Sequence, residues 1–512
     1  MEAQDVIVIG GGWSGLVTCK HMLEANFSVV LLEKRDGIGG IWRYSDDTKV
    51  ITAMKNTVTT SSSTYTEISD FPMPKEYGAF PHHANVKKYL ESFCDKFDLW
   101  PHIKNNTEVN KVTKENDQWI VTTASGEIYT SKYLCICTGT HQVPNDEMIE
   151  TVFAPFKGVV KHSISYKRPE AEHMRKNILI YGGGETASDL ATELSYVGNK
   201  VYCSIPHGQW FQRKKGTDGE AFDHYSSRLR VWCTPPDLGC PTIVKMLTYY
   251  YGFQQHGIEE WRSPAPYYGQ FFNKSPAILD RVNEGFVTPL PDIKNVNANT
   301  IEFVNGKVVE LDYVILSTGY HPVFDFLPQE YAHKPQERLK LIFDPNDTTL
   351  AFLGLVRPTV TSIPFMTELQ VRCAVSVFTG KAKTPSKEEV KAIIAADNAY
   401  LDKRFEKTSR SIRGLVDPMW YIETVSKFGN FYPNYWKLFF ENPYFWWLCI
   451  TAPGHASMFL VHDKKHRTYV KQLYKSMIAR FPLKRFFFDT LGLWGFFRIS
   501  DTVMRWYRKL RS

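Results

Sequence analysis

Short, unbroken apolar runs punctuated by glycine set the rhythm of this chain. Residues 5–34, DVIVIGGGWSGLVTCKHMLEANFSVVLLEK, hold such a run at Asp5–Ile9, a glycine turn, a helix-length stretch, and a second run at Ser28–Leu32. An apolar, β-branched run of this length reads as a strand buried on both faces, and strand, turn, helix, strand in about thirty residues is a βαβ unit. The order recurs with strands at Asn177–Tyr181 and Lys200–Ser204. Two further runs, CICTGTH (135–141) and DYVILSTGYH (312–321), read as buried strands entering Thr-Gly, placed to carry the chain between two units. No other repeat and no low-complexity linker divides the sequence, so two interleaved α/β units are expected rather than two beads. Residues 205–290 read as an aromatic-rich insertion, a lid or substrate tunnel with surface packing as the alternative. Residues 380–412 read as a solvated helix capped by Ser386.

The glycines carry chemistry as well as shape. Gly10, Gly12 and Gly15 fall at G-x-G-x-x-G spacing, with Gly11, Trp13 and Ser14 in the same turn. Gly10 permits the tight turn, Gly12 lets backbone approach a pyrophosphate, and Gly15 lets helix pack on strand. The free N–H groups of the helix start then face the phosphate. Glu33, closing the second strand, is placed to accept hydrogen bonds from a ribose. The second unit has Gly182, Gly184 and Ala187 at the same spacing, with Thr186, Ser188 and Asp189 at its helix start. Its second strand ends without an acid, and Arg213, Lys214 and Lys215 follow. Cations suit a ribose 2′-phosphate, which favours NADP over NAD; a solvated loop is the plainer account of them. An acid-closed first site suits FAD, and a later second site suits NADPH delivering hydride to the flavin.

Composition narrows the class. At 512 residues, 43% hydrophobic and 22% charged, the chain is folded with sizeable cores. Nine cysteines without a CxxC or a Cys/His cluster at zinc spacing favour a reducing compartment and no metal site. The apolar run starting at residue 5 has no basic leader and ends in glycines, so no signal peptide is expected. The net charge of +7 is uneven: residues 484–511 carry seven Lys/Arg against Asp489 and Asp501, a net +5, interleaved with Phe486–Phe488, Trp494, Phe496, Phe497, Trp506 and Tyr507. That distribution argues against nucleic acid. It fits an amphipathic tail on an anionic membrane surface, or a helix packed on the protein's own core, better than a spanning helix.

Phe156-x-Gly158-x-x-x-His162-x-x-x-Tyr166-Lys167 resembles the fingerprint of class B flavoprotein monooxygenases, with the ending of the flavin-containing monooxygenases. The resemblance continues through Gly39-Gly40-Ile41-Trp42, SDFPMP (69–74), Ser317-Thr318-Gly319-Tyr320, ELQVR (368–372) and APG (452–454). It implies two interleaved Rossmann-like dinucleotide-binding domains, for FAD and NADPH, with a helical, aromatic-rich C-terminal extension. The expected boundaries are 1–155 for the first part of the FAD domain and 156–320 for the NADPH domain. Residues 321–480 would complete the FAD domain with a helical region, and 481–512 would form the tail. It also implies FAD contacts from Gly40, Ile41, Trp42 and Ser61, and an activity: NADPH- and O₂-dependent oxygenation of a nitrogen or sulfur in a small lipophilic substrate, through a C4a-hydroperoxyflavin.

The chain departs from that pattern at two positions. Thr60, in TVTTSSST, stands where the family has an active-site Asn; it offers one hydroxyl in place of a two-donor amide, and Asn56 could supply the amide only after a four-residue slip. Pro206 stands where the family usually has an Arg for the 2′-phosphate. A Baeyer–Villiger monooxygenase and an NADPH oxidase or flavin-binding regulatory protein with weakened oxygenation are therefore kept as alternatives. A disulfide reductase is excluded, because no cysteine lies between Cys19 and Cys94. The expected location is the cytoplasmic side, peripheral on the endoplasmic reticulum if the tail binds membrane; the oligomeric state is left open.

Overall fold

A computed structural model describes residues 2–216, 219–225, 227–229, 253–254, 257–265, 269–359, 361–406 and 414–478. The basic tail read at 481–512 and much of the aromatic insertion lie outside the described residues.

The first sheet forms around β1 (Glu2–Ile9), whose Val6–Ile9 half is buried on both faces. It pairs in parallel with β2 (Val29–Leu32) and β6 (Ile128–Ile136), and β2 pairs in parallel with β3 (Ile103–Lys104). Beyond β6 the sheet turns antiparallel through β5 (Gln118–Thr123) and β4 (Val109–Glu115). The strand Leu350–Phe352 returns from far along the chain to pair in parallel with β6. One face is covered by α1 (Trp13–Glu24), α3 (His83–Lys96) and the long helix Ile363–Phe378, which share a core that includes Leu16, Phe93 and Leu369. The short α2 (Ser63–Thr66) is capped by Ser62, whose hydroxyl accepts from Tyr65 N.

The second sheet is parallel throughout, in the order Val287–Leu290, β10 (Lys200–Ser204), β9 (Asn177–Tyr181), Tyr313–Leu316, β8 (Val159–His162). Its strands are near-continuous apolar runs because α4 (Glu185–Leu194) and its neighbours cover one face and a second apolar core the other. The chain crosses between the sheets twice, and the crossings pair with one another: β7 (Val143–Pro144) runs antiparallel to Tyr320–His321. Both crossings follow the strand-to-Thr-Gly segments read from sequence.

After the return strand the chain is helical. Lys387–Arg404 is capped by Ser386 with Glu389 in a capping box; it ends at Arg404, short of the 412 read from composition, and its solvent side carries the Lys/Glu residues that suggested it. Tyr435–Glu441, Pro443–Thr451 and Arg467–Ile478 bury Leu438, Phe445, Leu448 and Tyr474 in a satellite core. Among the described residues no helix is long and apolar enough to cross a membrane.

Candidate active site between two glycine turns

The first turn leaves no room for side chains. Gly10 has φ +107°, and a Cβ on Gly15 would lie 1.8 Å from the Gly10 carbonyl oxygen. Gly12 caps α1 without any side-chain hydrogen bond, so the first amides of the helix are left for a ligand. Glu33 is buried at the end of β2. One carboxylate oxygen accepts the Gly11 amide at 2.6 Å and the other the Arg35 amide at 2.8 Å, which fixes its orientation. The loop at Gly39–Trp42 folds back over the turn: Gly39 N donates to Gly11 O at 2.9 Å, and Gly40 (φ +54°) backs onto Gly12. Ile41 is exposed there and Trp42 half-buried. Trp13 stacks on Tyr89 with centroids 5.5 Å apart, so its ring packs the core. Ser14 lies 3.4 Å from the Thr367 hydroxyl and fills the space a Cβ on Gly354 would need. A bare glycine turn, free helix amides and an oriented ribose acid are what the adenosine diphosphate half of a flavin nucleotide requires, and the residues fit it.

The second turn repeats this geometry. Gly182 has φ +141°, with the Ser317 carbonyl 2.4 Å from where its Cβ would be; Gly184 caps α4 and faces open space. Ala187 is buried, as the tight helix-to-strand approach demands, whereas Thr186 is exposed. Side chains absent from the sequence reading brace this turn. Asn273 donates to Gly184 O at 3.1 Å and to the Ser188 hydroxyl at 2.7 Å, and Gln209 donates to Gly183 O at 2.7 Å. Burial pushes the Asp189 carboxyl up to about 6; Lys214 and Ser275 oppose the shift, and Glu185 and Glu193 add to it. Burial likewise lowers the Lys214 pKa, with Asp189 and Glu185 opposing. Lys214 thus belongs to the start of α4, and Arg213 is exposed.

The segment that contains both expected catalytic positions runs between the two turns. Asn56 is exposed, and its amide donates to Glu193 on α4 at 3.1 Å. Thr60 is half-buried, between Thr59, whose buried hydroxyl has no partner, and Ser61. The Ser61 hydroxyl donates to Thr361 O at 3.3 Å and accepts from the Lys274 ammonium at 3.3 Å. Ser61 is therefore tied into a junction, while the Asn56 amide is already engaged elsewhere.

The Phe156–Lys167 fingerprint proves to be a clip. Phe156 and Asp312 O crowd the place of a Gly158 side chain, which accounts for the glycine. His162 is buried: its Nδ1 accepts from Ile164 N at 3.2 Å, so Nε2 carries the proton and donates to Gly319 O at 3.0 Å. Burial lowers its pKa, which keeps this neutral tautomer. Tyr166 donates to Glu193 on α4 at 2.7 Å, and Lys167 to Val50 O at 2.7 Å. The edge strand β8 and the turns around it so fasten a chain crossing, the second turn's helix and the segment leading to Thr60.

The model of the Flavin-binding monooxygenase-like family matches residues 3–463. The chain belongs to the flavin-containing monooxygenase family. It is 30% identical over 469 residues to human flavin-containing monooxygenase 5, covering 86% of each chain. It is 28% identical over 473 residues to dimethylaniline monooxygenase [N-oxide-forming] 2 of Mus musculus, covering 86% of this chain and 85% of that one. Among solved structures, S-allyl-L-cysteine S-oxygenase from Allium sativum shares the fold with TM-score 0.61 at 17% identity, over 96% of this chain and 99% of its own. A cyclohexanone monooxygenase shares it with TM-score 0.60 at 16% identity, over 83% of this chain and 98% of its own. This monooxygenase is accordingly a flavoprotein.

Proposed function

We propose that this flavin monooxygenase uses NADPH and O₂ to oxygenate a soft nitrogen or sulfur nucleophile of a small molecule. The observation that carries the proposal is the repeated turn: two ligand-ready glycine turns on separate sheets, joined through one junction at Ser61, Thr361 and Lys274. FAD bound at the first turn would supply the two-electron chemistry that activates O₂.

Each part of the chain has its own task in this reading. Gly10–Gly15 and the open start of α1 hold the pyrophosphate of FAD, and Glu33 its ribose. Gly40, Ile41, Trp42 and Ser61 would contact the flavin. Gly182, Gly184, Thr186, Ala187, Ser188 and Asp189 cradle NADPH, with Arg213 and Lys214 offering charge to its phosphates. Thr60, the neighbour of Ser61, would offer one hydroxyl beside it. The Phe156–Lys167 clip keeps the two turns in register, and the buried surroundings exclude water. A soft nucleophile needs no base to attack an electrophilic oxygen, so Ser-His-Asp or paired-carboxylate machinery has no place here. Anaerobic addition of NADPH to the FAD-loaded protein should bleach the flavin faster than NADH does; equal rates would remove the NADPH preference.

Thr60 favours one alternative, an NADPH oxidase that releases peroxide. Its single hydroxyl cannot make the two donations of an amide. A peripheral membrane location through residues 484–512 goes with the main reading, and flotation with anionic liposomes should be lost on removing that tail.

A further inference from the structure

Two cations are left over once both turns have been accounted for. Lys274 directly follows the brace Asn273. Its ammonium donates to Thr361 O at 2.9 Å and to the Ser61 hydroxyl at 3.3 Å, both neutral acceptors. Arg357 lies over the Phe271 ring, 3.9 Å from its centroid, and among the described residues its guanidinium has no hydrogen bond or ion pair. Both are only partly open to solvent. Burial lowers the Lys274 pKa; Glu185 and Asp223 oppose this, while Arg357 and Lys214 repel the ammonium. Burial lowers that of Arg357 too, with Glu185 opposing.

Enclosing two cations without a direct anionic partner is costly, and the cost is recovered when an anion arrives. Lys274 reaches the junction at Ser61 and Thr361, and Glu185 at the start of α4 is near enough to act on both cations. Thr361 directly precedes Ser362, the cap of the helix Ile363–Phe378 that packs on α1. We infer that Lys274 and Arg357 form an oxyanion receptor at the junction, for a carboxylate carried by the substrate or a phosphate of the dinucleotide. The Phe271 ring supports the guanidinium from one side, and its N–H groups are suited to two-point hydrogen bonding to an oxyanion. With a carboxylate as occupant, the enzyme selects acidic thioethers or amines over neutral ones.

The inference rests on the proposed reading of the junction for the identity of its occupant, but binding can be read in a protein that turns nothing over. The FAD-loaded full chain and its Lys274→Met, Arg357→Met and Lys274→Arg variants are titrated with 3-(methylthio)propanoate, its neutral methyl ester and NADP⁺, following the flavin absorbance. Loss of one charge-assisted hydrogen bond should weaken an anion at least about tenfold in each Met variant. The ester should be unaffected, and Lys274→Arg should keep most of the affinity. Selective weakening of the acid assigns the substrate carboxylate, and selective weakening of NADP⁺ assigns the dinucleotide phosphate. Unchanged binding of both anions, or equal weakening of acid and ester, overturns the receptor. Should a Met variant lose its flavin, the unmodified protein decides: added salt must weaken the anion and spare the ester, and equal salt effects overturn the inference.

Discussion

At the scale of single residues, the site is built on positions where a side chain cannot exist. Gly15 is the sharpest: its Cβ would sit 1.8 Å from backbone oxygen, so neither a rotamer change nor a small shift relieves it. Gly15→Ala should leave the purified protein largely without flavin, read as the ratio of flavin to protein absorbance; an unchanged ratio would contradict this account of the turn. Asp189 gives a pH signature. Its folded pKa, about 6, lies above the ordinary 3.8, so the carboxyl is neutral below about 6 and anionic above. A phosphate-bearing ligand at the α4 start should therefore bind more tightly as pH falls through 6 and more weakly as it rises. An NADP⁺ titration from pH 5 to 7.5 measures this, and Asp189→Asn should flatten the profile. A slope that persists in the variant would assign the titration elsewhere. Both glycine triplets and Glu33 were legible in sequence because their constraint is local. Lys274, Arg357, Asn273 and Gln209 were not: Lys274 meets Ser61 across more than two hundred residues, and no spacing rule reaches that far.

At the scale of elements, strands and helices followed the hydrophobic pattern closely. Asn177–Tyr181 and Lys200–Ser204 stand where their apolar runs placed them. The first strand begins earlier than its apolar run, at Glu2, because β6 continues to offer pairing partners there. What pattern alone could not disclose was the task of the fingerprint loop. Its Val159–His162 stretch forms the edge strand β8 although its pattern shows no clear strand period, and its His, Tyr and Lys act by reaching three separate elements. Tyr166→Phe removes only the hydroxyl that donates to Glu193. Urea denaturation should show a loss of about 1 kcal/mol, the net worth of such a hydrogen bond. The same variant should lose coupling between NADPH use and oxygenation, since α4 is no longer tied to the clip. Full coupling at reduced stability would make the clip purely structural.

At the scale of the whole molecule, two βαβ units are interleaved so that each contributes one glycine turn and the crossings pair with one another. In the proposed function, their junction is where electrons and oxygen would meet. The order of motifs in sequence announced two βαβ units, yet Thr60, the position that departs from the family, could only be set beside the junction once Ser61, Thr361 and Lys274 were seen to converge. If Thr60 limits oxygenation, Thr60→Asn should raise the fraction of NADPH oxidation that yields oxygenated product, with binding of NADP⁺ little changed. The central claim, that this enzyme oxygenates rather than merely oxidises NADPH, is tested most directly by a three-way balance. NADPH consumed, hydrogen peroxide released and sulfoxide or N-oxide formed are measured together with a thioether and a tertiary amine as substrates. The account predicts product in near-equal amount to NADPH consumed, with little peroxide, for at least one of the two. Peroxide equal to NADPH consumed, with neither product formed, would contradict it.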